Sequence, residues 1–199
     1  MTVFGGRYNG KAINSWTTLD LLSETWSQTW KQTTSSGIPT ARSGHTAVSW
    51  IDAAGKPIMT VYGAPSEATN SDVLLQLDLQ TASHPDLPSL PNYPWAVVSP
   101  AGVVPSRRSR VAAVLWLDSS STPMMSIIGG AIDDNLHTLN LPHLRWSGAV
   151  STTGSQPTAT YGAAAGYFDP VSSANTIVYV GGTTSHLHRL DVDAAVWSG

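Results

Sequence analysis

Residues 127–146 read IIGGAIDDNLHTLNLPHLRW, and this stretch decides the fold because its parts recur along the chain. A β-rich segment ends at Gly129 and Gly130, an apolar strand follows around Leu139, and Trp146 comes a few residues later. This order indicates a strand, a glycine turn and a second strand. Repeats with a period of ~20 to 50 residues determine the architecture of a whole chain, so the other copies matter most.

The glycine turn occurs four times in the 199 residues, and it loses its second glycine only at Ala64. Glycine allows positive φ and a close approach of neighbouring backbone, as a strand that ends beside another sheet can require. We predict that segments 2–6, 57–64, 124–130 and 176–182 are equivalent second strands of successive units. The repeat glycines are Gly5, Gly6, Gly63, Gly129, Gly130, Gly181 and Gly182.

A carboxylate or amide ends the next strand of each unit, at Asp20, Asp78, Asn140 and Asp191. Such short side chains accept hydrogen bonds from backbone N–H groups two residues further on, and so set a turn. Six residues later come Trp26, Trp146 and Trp197, whereas the second unit has His84 there and Trp95 nearby. Because tryptophan wedges a large apolar area between sheets, we expect Trp26 and Trp146 to be buried and Trp197 to be more exposed.

A Pro-x-x-Arg motif completes the unit, at Pro39 to Arg42 and at Pro105 to Arg108. The third copy begins at Pro157 and has Thr160 in place of the arginine. Proline is tolerated where an outer strand ends, and the five N–H donors of arginine can join successive units.

The glycine turn, the carboxylate or amide, the tryptophan and the Pro-x-x-Arg motif recur in one order over nearly the whole chain. Together they resemble the kelch repeat. The resemblance implies an all-β fold: a kelch-type β-propeller, like the central domain of galactose oxidase, with about four blades visible. The units would run approximately over 1–42, 43–108, 109–160 and 161–199.

The phase of the repeats predicts an incomplete ring. The first unit lacks an opening strand, and the last, which stops two residues after Trp197, is expected to lack its closing strand. We therefore expect the chain to be a piece of a longer gene product. Because open strand edges template association, we also expect the isolated chain to self-associate. The alternative is that the terminal strands pair and close a four-bladed ring.

The composition excludes several classes of protein. Only 12% of residues are charged and the net charge is -3, which offers no electrostatic footprint for nucleic acid. No signal peptide and no apolar run of ~20 residues is present, so no membrane span is predicted. We expect a cytoplasmic protein if the chain is complete, and an extracellular or cell-surface one if it is a fragment.

No catalytic residue, metal site or cofactor is predicted. His186 and His188 share one face of a strand, but two ligands do not make a metal site. The galactose-oxidase resemblance implies a tyrosine cross-linked to cysteine, and the chain has no cysteine. The alternative to a binding module is therefore the propeller portion of a larger carbohydrate-active or copper-radical enzyme.

The loops differ in length and chemistry while the strands repeat, which is typical of recognition on a rigid scaffold. We predict a non-catalytic binding or scaffolding module for a protein partner. The candidate binding residues lie in three loops: Arg7, Tyr8, Asn9, Glu67, Asn70, Asp133 and Asp134.

Overall fold

The chain forms four successive antiparallel sheets, which we call blades 1 to 4 in chain order, and one small hairpin. The structure, a computed structural model, describes residues 1–26, 39–63, 74–82, 95–130, 135–157, 162–169, 174–181 and 186–199. No helix in these ranges is long and apolar enough to cross a membrane.

The strands of each blade follow one another along the chain. Blade 1 contains β1 (Thr2–Phe4), β4 (Trp16–Asp20) and β5 (Thr25–Trp26), with the hairpin strands β2 (Arg7–Tyr8) and β3 (Lys11–Ala12) inserted after β1. Blade 2 contains β6 (Thr46–Ile51), β7 (Pro57–Tyr62), β8 (Leu74–Asp78) and β9 (Trp95–Val97), and the one-turn helix α1 (Leu79–Ala82) follows β8. Blade 3 contains β11 (Ala112–Leu117), β12 (Pro123–Ile128), β13 (Leu136–Asn140) and β14 (Arg145–Val150). Blade 4 contains β16 (Gly162–Asp169), β17 (Ala174–Gly181), β18 (His186–Asp191) and β19 (Val196–Ser198).

This arrangement is a kelch-type β-propeller. The four predicted second strands lie in β1, β7, β12 and β17, and each pairs antiparallel with the third strand of its own blade. The glycines after the first three of these strands have positive φ, for example 136° at Gly63 and 75° at Gly129.

The expectation that the last unit lacks its closing strand is wrong. Strand β19 closes blade 4, and it contains Trp197. The repeat tryptophan lies within the fourth strand of a blade, as Trp26 does in β5 and Trp146 does in β14. The prediction placed Trp197 before the fourth strand of blade 4 and therefore gave that blade one strand too few.

The predicted burial is confirmed for Trp146 and wrong for the other two tryptophans. Trp26 is 56% exposed, whereas Trp146 and Trp197 are 2% and 3% exposed. Each of these rings packs against the preceding blade: Trp146 meets Tyr62 of blade 2 edge-on, with ring centroids 5.3 Å apart. Among the described residues no blade precedes blade 1, so Trp26 is the ring that stays exposed.

Two further short strands, β10 (Ala101–Gly102) and β15 (Thr153–Gly154), join consecutive blades. The chain that leaves blade 2 pairs through β10 in parallel with β14 of blade 3, and β15 pairs in the same way with β19 of blade 4. Each connection thus covers the outer edge of the next sheet, which shields groups that would otherwise template association.

The arginines of the Pro-x-x-Arg motif are fully buried and bond backbone carbonyls. Arg42 Nη1 donates to Gly63 O at 3.3 Å, and Arg108 Nη1 donates to Gly129 O at 3.4 Å. The Arg42 carbonyl meanwhile accepts from Gly6 N of blade 1 at 2.9 Å. Arg42 therefore fixes the glycine turns of blades 1 and 2 to each other.

The Asp and Asn side chains at the ends of the third strands set the following turns. Asp20 Oδ1 accepts from Leu22 N at 2.8 Å, and Asp78 Oδ1 accepts from Gln80 N at 2.9 Å. In blade 3, Asn140 Oδ1 accepts from His143 N at 3.1 Å. These are Asx-type turns, as the local chemistry predicts.

Candidate binding face

The loops of the propeller emerge at two ends because successive strands run in opposite directions. One end, which we call the glycine end, carries the glycine turns after the second strands and the segments 39–45, 98–111 and 151–157 that enter the next blade. The other, the Asx end, carries the turns 52–56, 118–122, 141–144 and 192–195.

A tight hairpin projects from the glycine end of blade 1. Tyr8 pairs with Lys11, and the two residues between them have positive φ, 49° at Asn9 and 77° at Gly10. Positive φ at both central residues defines a type I′ turn, for which Asn-Gly is a preferred sequence. The turn holds Arg7, Tyr8 and Asn9 exposed to solvent, with Tyr8 69% exposed.

The base of this hairpin is fixed by backbone hydrogen bonds. Gly5 N donates to Ser15 O at 2.9 Å and Ile13 N donates to Gly6 O at 3.0 Å, which closes the loop. Arg42 N donates to Ile13 O at 3.1 Å, so the segment that enters blade 2 braces the hairpin from one side. The hairpin is therefore a rigid projection, which lowers the entropic cost of binding through it.

Charge is distributed unequally between the two ends of the described chain. The glycine end carries Arg7 and Lys11 on the hairpin, and Arg107 and Arg110 before blade 3. The carboxylates whose side chains the structure describes all lie at or beside turns of the Asx end: Asp20, Glu24, Asp52, Asp78, Asp118, Asp191 and Asp193. The described part of the glycine end is thus electropositive, whereas Glu67, Asp133 and Asp134, in the loops that follow its glycine turns, lie outside the described residues.

His45 lies beneath this face, between the first two blades. Its Nε2 donates to Phe4 O at 3.0 Å, which fixes the tautomer because a carbonyl can only accept. Burial lowers the pKa of His45 from the ordinary 6.5, and the nearby positive charge of Arg42 lowers it further. The neutral His45 ring therefore packs between blades 1 and 2, where it contacts the glycine turns at Gly5 and Gly63.

The structure brings together only part of the predicted binding set. Arg7, Tyr8 and Asn9 share the hairpin, whereas Glu67, Asn70, Asp133 and Asp134 lie outside the described residues. Lys11 belongs to the loop that the sequence already indicated, whereas Arg107 and Arg110 were not predicted to share this face. The available signal was the cluster of basic residues at 107–110, in which Arg108 points inward and Arg110 outward.

Comparison with known proteins decides the family. The family model of the KLHDC2/KLHL20/DRC7 Kelch-repeats domain matches residues 1–182. The chain belongs to the kelch-repeat family. Kelch-repeat domains generally mediate protein interactions, so the family supports a protein-binding propeller module.

A solved structure of a fucose lectin from Kordia zhangzhouensis, in complex with methyl-fucoside, is similar at 17% identity and a TM-score of 0.43. The similarity covers 78% of this chain and 96% of the lectin. At that level it bears on neither the fold nor the ligand of this kelch-repeat chain.

Proposed function

We propose that this kelch-repeat chain is a non-catalytic scaffold that binds an acidic, exposed segment of a partner protein at its glycine end. The observation that carries the proposal is the hairpin, which holds Arg7, Tyr8 and Asn9 in solvent on a hydrogen-bonded base. A braced, exposed projection with these side chains has no evident role in packing.

The side chains suit a protein partner. Tyrosine and arginine are enriched at the centres of protein interfaces, because they offer a large contact area together with hydrogen-bond donors. Arg7 and Lys11 add positive charge beside Tyr8 on the hairpin, and complementary charge raises association rates and selects partners. Asp133, Asp134, Glu67 and Asn70 remain proposed contributors from the neighbouring loops, where the carboxylates would meet basic residues that flank the acidic segment of the partner.

The enzymatic alternative has less support. The copper-radical chemistry implied by the galactose-oxidase resemblance uses a tyrosine–cysteine cross-link, and because this chain contributes no cysteine, that site would have to lie in another part of a larger protein. In the described ranges no three His, Asp or Glu side chains cluster as metal ligands. A carbohydrate-active role for a larger protein has no specific observation in its favour.

Peptide selection followed by calorimetry tests the proposal. Peptides selected on the immobilised chain from a random library should be acidic, and Tyr8→Ala or Arg7→Ala should weaken their binding about 10- to 100-fold, the range of interface hot spots. Leu117→Ala and Arg145→Ala are matched controls, because both residues are exposed at the Asx end. Full affinity in the hairpin variants together with a loss in the controls would refute the assignment.

A further inference from the structure

A cavity of about 120 Å³ lies at the junction of blades 2 and 3, and we call it the Trp146 cavity. Its inner wall consists of Tyr62, Leu74 and Trp146, all buried, and its rim of Ser99, Pro100 and Val104 on the connection that leaves blade 2. Ser99 and Val104 are exposed, so the described residues leave an entrance from solvent.

The indole nitrogen of Trp146 is a buried hydrogen-bond donor. Its Nε1 has no acceptor within the described part of the chain, although the residue is only 2% exposed. Buried indole N–H groups ordinarily have a partner, because an unpaired one destabilises the fold. The indole nitrogens of Trp16 and Trp95 share this property at the junction of blades 1 and 2, but the connection there, residues 27–38, lies outside the described ranges. For Trp146 the neighbouring connection is described, so its surroundings can be compared with those of blade 4.

Blade 4 shows where the acceptor for such a tryptophan comes from. Trp197, the corresponding ring, donates from Nε1 to Thr152 Oγ1 at 3.1 Å. Strand β10 pairs with β14 in the same register as β15 pairs with β19, so Pro100 corresponds to Thr152. A proline side chain has no acceptor, and Pro100 lines the cavity. The N–H of Trp146 therefore faces the cavity at the place where blade 4 supplies a hydroxyl group.

We propose that the Trp146 cavity binds a compact neutral group with an apolar body and one hydrogen-bond acceptor, a carbonyl or hydroxyl oxygen that accepts from Trp146 Nε1. Leu74 and Val104 offer apolar contacts for the body of the group. The volume limits its size, because an engineered cavity of ~150 Å³ holds one benzene molecule.

The surroundings select a neutral group over a charged one. A carboxylate that enters the cavity loses its water shell, and the single N–H of Trp146 replaces little of it. The hydroxyl group of Tyr62 already donates to Ser106 O at 3.0 Å, so its proton does not serve the ligand. Leu74 and Val104 provide no hydrogen bonds from their side chains. A ketone or an alcohol therefore suits this cavity better than the carboxylate of the same shape.

Acetone and acetate test the proposal on the wild-type chain, because they have the same shape and differ in charge. In isotope-labelled protein, the indole N–H signal of Trp146 is identified by its loss in Trp146→Phe. Acetone should shift this signal in a saturable way, with a dissociation constant on the order of millimolar, as its small size implies. Acetate at equal ionic strength should leave it in place, and the Trp197 signal, whose N–H is already bonded, should respond to neither. A Trp146 signal that does not saturate with acetone, or that responds equally to acetate, would overturn the proposal.

A competition distinguishes a free small molecule from a side chain of a partner protein. The cavity shares no residue with the hairpin, so acetone should shift the Trp146 signal equally in Arg7→Ala, whatever that variant does to peptide binding. If a selected acidic peptide abolishes the acetone response, the partner supplies the neutral group. An undiminished response in the peptide complex assigns the cavity to a free small molecule. Loss of the acetone response in Arg7→Ala would contradict an independent site.

Position 100 provides a matched pair of variants. Pro100→Thr copies blade 4 and places a hydroxyl oxygen beside Trp146 Nε1, so it should shift the indole signal without any probe and abolish the response to acetone. Pro100→Val has the same shape without the oxygen, and should leave the probe-free signal near its wild-type position. Circular dichroism checks that both variants keep their strands. Equal probe-free signals in the two variants, or an acetone response that survives Pro100→Thr, would overturn the assignment of this N–H to the cavity.

Discussion

Leu77 and Trp95 face each other as register partners on neighbouring antiparallel strands, although the stretch between them is far longer than in the other blades. Leu139 pairs with Trp146, and Leu190 with Trp197, across short turns. The insertion in blade 2 therefore moves the tryptophan along the chain while keeping its position in the blade.

This pairing predicts that Trp95 stabilises the fold as the buried tryptophans of blades 3 and 4, Trp146 and Trp197, do. Trp95→Ala removes a ring that is 7% exposed and packed on Phe4, and should lower the free energy of unfolding by about 3–5 kcal/mol, as for large core truncations. Urea denaturation measures the loss. Leu22→Ala is the control, since Leu22 is 96% exposed, and a loss of the same size there would contradict the assignment.

The edge-covering strands predict an unusual sensitivity at two glycines. Gly154 has a φ of 88°, and a Cβ on it would collide with the carbonyl oxygen of Trp197; Gly102 stands in the same relation to Trp146. Gly154→Ala should therefore separate β15 from β19 and destabilise the chain by clearly more than the backbone penalty alone.

Gly55→Ala measures that penalty by itself. Gly55 also has positive φ, 80°, but a Cβ there would meet nothing within 4 Å. Its cost should stay near 1 kcal/mol, which is typical of positive φ in alanine. Equal melting temperatures for the two variants would contradict the close approach at Gly154.

The buried arginines predict a selective loss at Arg108. Arg108→Met removes donors to Gly129 O and to Ser106 O, and leaves these acceptors without that partner. The expected cost is about 2–3 kcal/mol, in the range for breaking buried hydrogen bonds to a charged group. Arg110→Met, on an exposed neighbour, should cost little. Chemical denaturation measures the free energy of unfolding of both variants, and equal losses would contradict the prediction.

His45 predicts a pH dependence of stability. Its pKa is lowered in the folded chain, chiefly by burial, so the unfolded chain binds the proton more readily. The contribution is therefore complete above the unfolded pKa of about 6.5 and is lost as the pH falls through the folded value. His45→Val, which copies Val111 of the next blade, should flatten the melting temperature between about pH 7.5 and 5 relative to the wild type. Parallel curves for the two proteins would contradict this role.

Features that depend on local chemistry could be predicted from the sequence. The glycine turn at Gly129 and the Asx turn at Asp20 follow from allowed φ values and from a side chain that reaches its own backbone. Their repetition in one order was enough to indicate a kelch-type propeller before any contact between blades was known.

Features that depend on the neighbouring blade could not be predicted in the same way. The sequence does not show that Trp146 packs backward onto blade 2 rather than forward onto blade 4, and this direction reversed the expected exposure of Trp26 and Trp197. Strand β10 was also missed, because two residues that pair in parallel with β14 leave no periodic pattern. The sequence indicated residues 7–11 as a loop. The hydrogen bond from Arg42 N that braces this hairpin comes from a segment distant in sequence, so no local pattern reveals it.

Hydrogen–deuterium exchange with a selected acidic peptide tests the central claim, that the glycine end is the binding face, most directly. The account predicts that the peptide slows exchange in residues 7–12 of the hairpin and in the adjoining segments 39–45 and 106–111, while the Asx-end turns 52–56 and 118–122 stay unchanged. Protection confined to those Asx-end turns, with the hairpin exchanging as in the free chain, would contradict it.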